Sequence, residues 1–177
     1  MRQFLSLLIL AACSGGGGGG DTGSTPREPF VPIVPITDPV PAGTATYNGG
    51  MSLGFLPPSG GEAVAISGDL SLTIDFDNPD RAITGAATGF ADDVDTYTGN
   101  LLVNTAALDD SAGGLDFFTN INGSLLTGTT NYLVLGQMRG EVLGKAQEAA
   151  SGRVSGQVQE RGIPSLLTGQ FQAARRP

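Results

Sequence analysis

The chain has no histidine and no tryptophan, and it carries one cysteine and one lysine among 177 residues. Without histidine it lacks the commonest general base and metal ligand, and one lysine leaves little room for Schiff-base chemistry. Catalytic sites built on Ser-His-Asp or Cys-His are therefore excluded, and only carboxylate chemistry stays open. A single cysteine cannot form an intramolecular disulfide, so packing and backbone hydrogen bonds must hold the fold.

Positive charge is also scarce, and the formal net charge is −8. This charge argues against nucleic acid and against an anionic membrane surface as partners. From Asp38 to Asp116 there are 12 acidic residues against the single Arg81, whereas 117–177 holds three acidic and six basic residues. Two interpretations stay open: an acidic face that meets a partner, or two halves of opposite charge that pair with each other.

The first residues have the form of an export leader. Arg2 is followed by an apolar stretch, Phe4 to Leu10, and then by Ala11-Ala12-Cys13. A leader of this shape that ends on cysteine resembles the bacterial lipoprotein signal. The resemblance implies that residues 1–12 are removed and that Cys13 becomes the diacylated and N-acylated first residue. Ser14 after the cysteine favours the outer membrane by the same resemblance. The alternative is an ordinary secretory leader with an incidental cysteine.

Residues 13–42 have the composition of a tether. A run of glycine, serine and threonine predicts a flexible coil. Four prolines then recur every third residue from Pro26 to Pro35, a spacing that suits one face of a polyproline II rod. Phe30, Ile33 and Ile36 fall on a second face. The rod is interpreted either as a plain spacer or as a segment that packs on the following domain or on a partner.

From residue 43 onward, apolar and polar residues alternate between turn signals, which is the pattern of β-strands. Eight strands are predicted: Thr44 to Phe55, Ala63 to Phe76, Ala82 to Phe90, Thr96 to Ala106, Leu115 to Leu126, Asn131 to Leu143, Ala150 to Gln159 and Leu166 to Ala174. All can be joined by short antiparallel turns. We therefore expect an all-β fold, a single small eight-stranded antiparallel up-and-down β-barrel over residues 43–177, after a disordered lipidated tether.

Glycines four residues apart support closure of the sheet. The sets are Gly136, Gly140 and Gly144; Gly85 and Gly89; and Gly152 and Gly156. In a strand this spacing places each set on one face, where missing side chains let the sheet bend or let a bulky neighbour cover the gap. A closed barrel would place the last strand beside the first, with Arg175 or Arg176 near Asp75 or Asp77.

Five segments, one of them Ile83 to Gly85, resemble the β-barrel domain of transferrin-binding protein B and related surface lipoproteins of Gram-negative bacteria. The other four are Thr44 to Gly49, Leu70 to Asn78 with its Asp-Phe-Asp-Asn turn, Val142 to Gly156 with Gly-Lys-Ala-Gln-Glu-Ala-Ala-Ser-Gly, and Gly169 to Arg176. The resemblance spans 43–177 and implies one barrel without the family's handle domain. Ser151 and Val154 depart from the family pattern. Transferrin capture uses a handle-bearing lobe and does not carry over, so the ligand stays open.

Two acidic turns and the tyrosines are the remaining candidate sites. Asp75, Asp77, Asn78 and Asp80 suggest calcium, but their spacing departs from the EF-hand and a hairpin turn is the alternative. Asp92, Asp93 and Asp95 form a second acidic turn, interpreted as a solvated loop. Tyr47, Tyr97 and Tyr132 could ligate haem, although alternation favours the barrel core for them. Asn122-Gly123-Ser124 fits a glycosylation sequon only formally.

The predicted function is that of a non-enzymatic outer-membrane or cell-surface lipoprotein whose barrel binds a partner protein or nutrient carrier. The alternative is a periplasm-facing structural lipoprotein of the envelope. Cys13 is the predicted lipid-attachment site, and no catalytic, metal or cofactor residue is assigned. We expect a monomer that is held to a membrane by its lipid and does not bind nucleic acid.

Replacing Cys13 with serine removes the sulfur that thioether formation requires. We expect Cys13→Ser to remain an unprocessed or soluble precursor, and detergent phase partitioning checks this, with Ser14→Ala as the control. Partition of Cys13→Ser into detergent at the wild-type level would contradict the lipoprotein interpretation.

Overall fold

A computed structural model describes residues 42–78, 80, 82–109 and 114–177 of the chain. These ranges contain no α-helix. Their strands are β1 (Thr44–Phe55), β2 (Val64–Asp75), β3 (Ile83–Ala91), β4 (Thr96–Ala106), β5 (Leu108–Asp109), β6 (Leu115–Thr127), β7 (Thr130–Leu143), β8 (Ala149–Glu160) and β9 (Ile163–Arg175).

Side chains alternate between the interior and the solvent along the long strands, as the sequence pattern predicts. In β6, for example, Leu115, Phe117 and Ile121 are buried, whereas Asp116 and Phe118 between them are exposed. Each long strand contributes at least one side chain that is at most 2% exposed: Tyr47, Ile66, Ile83, Leu101, Ile121, Val134, Val154 and Leu167. The interior is therefore a packed apolar core, as in other small barrels.

The sheet closes on itself. Its order is β4-β3-β2-β1-β9-β8-β7-β6-β5, and an additional β4–β6 pairing joins the two sides. All pairings are antiparallel, and β9 lies beside β1 with Arg175 opposite Tyr47. The predicted eight-stranded antiparallel barrel is thus confirmed. The two-residue strand β5, which pairs with the start of β6, was not predicted.

The glycine prediction fails at a β-bulge in β3. The register between β2 and β3 shifts between Ser67 and Asp69, so that Gly89 and Phe90 of β3 lie opposite Gly68 alone, and Gly89 takes a φ of +65° there. The extra residue reverses the alternation, so Gly89 is exposed whereas Gly85 faces the side chain of Leu72. Bulges have this effect because they place two residues opposite one. Gly144 also lies outside the strands, in the turn after β7.

The prediction holds for the glycines of β7 and β8, where bulky neighbours cover the gap. Gly140 lies opposite Gly152, and the rings of Phe117 and Phe171 lie under them with centroids 6.0 Å apart. A Cβ on Gly140 would come within 2.5 Å of Phe171 Cζ and 2.6 Å of Phe117 Cζ. Only glycine lets β7 and β8 lie this close to the two rings.

Arg175 does not make the ion pair with Asp75 or Asp77 that the sequence predicted. Arg175 donates from Nη1 to the carbonyl of Ala146 at 2.9 Å and to Oε1 of Gln147 at 3.0 Å. It therefore ties the end of β9 to the turn between β7 and β8, and not to Asp75 or Asp77. The prediction that these charges meet along the β1–β9 seam is wrong for Arg175, because its guanidinium bonds to the turn that precedes β8 instead.

Alanine at position 140 tests the packing of the glycines on the phenylalanine rings. Because the added Cβ overlaps both rings, we expect Gly140→Ala to lower the free energy of unfolding by about 1–3 kcal/mol. Urea unfolding followed by circular dichroism measures the change. Gly54→Ala is the matched control, since a Cβ there meets nothing nearer than 3.9 Å. Equal stability of the two variants would contradict the packing described for Gly140.

Candidate functional site

The first acidic turn joins β2 to β3, and its carboxylates bond to the backbone. Oδ1 of Asp75 accepts a hydrogen bond from the amide of Asp77 at 3.1 Å. Oδ1 of Asp77 accepts one from the amide of Gly43 at 3.0 Å. These bonds fit the hairpin alternative. Within the described ranges, no group of three or more histidine, cysteine, aspartate or glutamate residues could hold a metal ion.

The second acidic turn is organised by Asp92. Its Oδ1 accepts hydrogen bonds from the amides of Asp95 at 2.6 Å and Val94 at 2.8 Å, and its Oδ2 accepts one from the hydroxyl of Tyr97 at 2.8 Å. The amides of Asp95 and Val94, and then the Tyr97 hydroxyl, lower the pKa of the Asp92 carboxyl because they favour its charged form. This carboxylate closes the turn between β3 and β4.

The three tyrosines lie in the core, as the alternation predicted. Tyr132 packs edge-on against Phe55 with ring centroids 5.2 Å apart. Tyr97 is held by Asp92, and burial followed by this hydrogen bond raises the pKa of Tyr97. Tyr47 is fully buried, and its hydroxyl has no hydrogen-bond partner among the described residues. Burial raises the pKa of Tyr47 to about 12.

The surface that stands out is a trough on the outer side of β6, β7 and β8. Gly136 lies opposite Gly156, and Gly140 lies opposite Gly152. These four glycines carry no side chains into the core, so the two strands approach it closely. One groove lies outside each glycine pair. We call the two together the outer trough.

One half of the outer trough is charged. Its groove of about 660 Å³ lies over Gly140 and Gly152. Phe118, Arg139 and Arg153 stand side by side across three strands in register. Phe118 is 48% exposed, and the guanidinium of Arg139 lies 5.5 Å from the centre of its ring. This contact is a cation–π interaction.

Like charges face each other across strands in this half. Arg139 is directly opposite Arg153, and one row nearer the barrel end three carboxylates lie side by side, Asp109, Asp116 and Glu141. Like charges in such positions destabilise a sheet. Among the described residues, no hydrogen bond or ion pair engages the guanidinium of Arg139 or Arg153. The charged half therefore presents two guanidinium groups beside three carboxylates, with the Phe118 ring next to Arg139.

The other half of the outer trough carries amides and leucines. Its groove of about 610 Å³ is lined by Asn104, Asn120, Asn122, Gln137, Gln157, Ser155 and Leu135 around Gly136 and Gly156. In register, Leu102, Asn122, Leu135, Gln157 and Leu166 form one row across five strands. The outward side chains from 120 to 126, 131 to 137 and 155 to 159 include no charged residue.

Five leucines are exposed on and beside this half. Leu102, Leu126, Leu133, Leu135 and Leu166 are between 38% and 72% exposed. Leu133 and Leu135 are neighbours on β7, whereas Leu102, Leu135 and Leu166 are separated in their row by Asn122 and Gln157. The centre of a binding interface is depleted in charged residues, as this half is. Sequence reasoning missed this surface. The signal that could have found it is the glycine spacing of β7 and β8 combined with apolar residues at outward positions.

Cys13 and the proline-rich segment lie outside the described residues. No helix in the described ranges is long and apolar enough to cross a membrane. No protein-family model and no curated protein matches the chain.

Removing the Tyr47 hydroxyl tests whether this buried group lacks a hydrogen-bond partner in the interior of the barrel. Because the hydroxyl is buried without a partner, we expect Tyr47→Phe to be neutral or stabilising by up to about 1 kcal/mol at neutral pH. Folding raises the Tyr47 pKa. The stability that this pKa shift contributes is present below pH 10.0 and is lost as the pH rises towards about 12. Tyr47→Phe should therefore also reduce the loss of stability in alkali.

Urea unfolding at pH 7 and at about pH 11 measures both effects. Tyr97→Phe is the control, because it removes a hydrogen bond to Asp92 and should cost about 1 kcal/mol at pH 7. A larger loss from Tyr47→Phe than from Tyr97→Phe would show that the Tyr47 hydroxyl has a partner.

Proposed function

We propose that the protein is a non-enzymatic outer-membrane or cell-surface lipoprotein, anchored through Cys13, whose barrel binds a partner protein or nutrient carrier through the outer trough. The observation that carries the proposal is the uncharged row of exposed leucines and amides on β4 and β6–β9. The lipoprotein-like leader supports the anchor, and the glycine- and proline-rich residues that follow support a tether.

The packed interior supports binding on the outside of the barrel. Inward side chains of all eight long strands fill the core, whereas both grooves open on the outer wall. The chemistry of the leucine half also defines its partner. A protein with an apolar patch and backbone or side-chain hydrogen-bonding groups would cover the leucines and pair with the amides, whereas a highly charged surface would gain nothing there.

Site-specific cross-linking in the producing cell tests this proposal. A photo-activated amino acid at Gln137, in the outer trough, should give one discrete cross-linked species. The same group at Ser71, an exposed position of β2, should not. Leu133→Glu with Leu135→Glu should abolish the species, because a partner would have to desolvate two carboxylates against its apolar patch.

Ser71→Glu is the matched control, since it adds a charge to the other wall and should leave the cross-link unchanged. An identical species from Gln137 and Ser71, or one that survives Leu133→Glu with Leu135→Glu, would contradict binding at the trough. Protease added to intact cells separates the two envelope locations, because only a surface-exposed barrel is degraded.

A further inference from the structure

We propose that the charged half of the outer trough binds a zwitterionic phosphate–ammonium group, and that its source is the phosphoethanolamine head group of the membrane lipid. The proposal rests on the lipid anchor of the proposed function. It concerns a different part of the surface from the leucine half, and it assigns a use to the two unpaired arginines and to the carboxylates beside them.

The arginine pair matches a phosphate. Guanidinium groups bind phosphate oxygens through paired N–H donors, and two adjacent groups provide more donors than one oxyanion requires. Arg139 is already positioned by the ring of Phe118, which reduces the freedom it loses on binding. A shared anion would also remove the repulsion between Arg139 and its cross-strand neighbour Arg153.

The carboxylates beside the arginines match an ammonium. Asp116 and Glu141 lie two residues along the strands from Phe118 and Arg139, a separation of about 7 Å between rows. A two-carbon bridge between phosphate and ammonium spans from the arginine row towards the carboxylate row. A primary ammonium has three N–H donors for these carboxylates. A doubly anionic ligand would be repelled by them.

The position of the charged half in the barrel favours a lipid as the source. Asp116 is the second residue of β6, and Glu141 is two residues from the end of β7. In an antiparallel barrel this is the end at which the chain enters β1 at Thr44, and the residues before Thr44 lead back to Cys13. An acidic chain gains nothing from an anionic bilayer, whereas a zwitterionic head group carries no net charge and suits a groove with both signs.

Vesicle co-sedimentation tests the proposal with the mature chain, residues 13–177, carrying Cys13→Ser so that no acyl chain contributes. Vesicles of phosphatidylcholine alone, of phosphatidylcholine with phosphatidylethanolamine, and of phosphatidylcholine with phosphatidylglycerol are compared. We expect binding only where ethanolamine is present, since the quaternary ammonium of choline has no N–H donor. Equal binding to phosphatidylcholine alone would overturn the proposal.

Matched variants test the residues. Arg139→Gln with Arg153→Gln should weaken binding to the ethanolamine vesicles by about tenfold or more, which corresponds to about 1.4 kcal/mol. Arg161→Gln with Arg176→Gln changes the net charge equally outside the groove and should have no effect. Asp116→Asn with Glu141→Gln should reduce the preference for ethanolamine over choline, since Asp109 is the carboxylate of that row that remains. Unchanged binding by the first pair would overturn the proposal, and circular dichroism checks that each variant folds.

Arg139→Lys with Arg153→Lys keeps both charges and loses the planar donor groups, so it should bind with intermediate strength. Soluble O-phosphoethanolamine distinguishes the sources of the ligand. If it displaces the protein from vesicles, the head group is the ligand; binding of the soluble compound without vesicle binding would replace the lipid with a free zwitterion. Because Cys13 is absent from this assay, a negative result leaves the anchor untouched, which the detergent partitioning of Cys13→Ser tests separately.

Discussion

The close packing of paired glycines on the Phe117 and Phe171 rings is the contact on which the rest of the structure depends. Eight strands enclose an interior that side chains must fill without voids, and two large rings occupy one end of it. Gly140 and Gly152 supply the space that these rings need. The strands that carry the glycines therefore lie close to the core, and their outer surface becomes the floor of a trough.

This packing connects the core to the chemistry of the surface. The glycines occupy inward positions of β7 and β8, so the alternate residues on the same strands point outward into the trough. Those outward residues change along the strand. Near the end at which the chain enters β1 they are Glu141 and Arg139, and towards the other end they are Leu135 and Leu133. One strand thus presents a charged half and an apolar half, and the two proposed ligands, a lipid head group and a partner protein, are assigned to them respectively.

The alternation of apolar and polar residues made the fold predictable from the sequence. The trough was not predictable, because it depends on the register between neighbouring strands. β1 and β4 have the predicted bounds, because periodicity of two is a local property of the chain. The last strand begins at Ile163 and not at Leu166, since Pro164 reads as a break but is tolerated near a strand end. The predicted face of Gly89 was wrong because the alternation of apolar and polar residues does not reveal a bulge. Cross-strand pairs such as Arg139 and Arg153 require the register of two strands, which the residue pattern of each strand alone does not supply.

A cysteine-accessibility scan in cells tests the central claim, occupancy of the outer trough, most directly. Single cysteines at Gln137 and Ser155 in the trough, and at Ser52 and Ser71 on the opposite wall, are labelled with a small permeant maleimide, since an acylated Cys13 gives no background. We predict that the trough positions are protected in cells and reactive after purification in detergent, whereas the opposite wall reacts in both. Equal labelling of all four positions in cells would contradict the account.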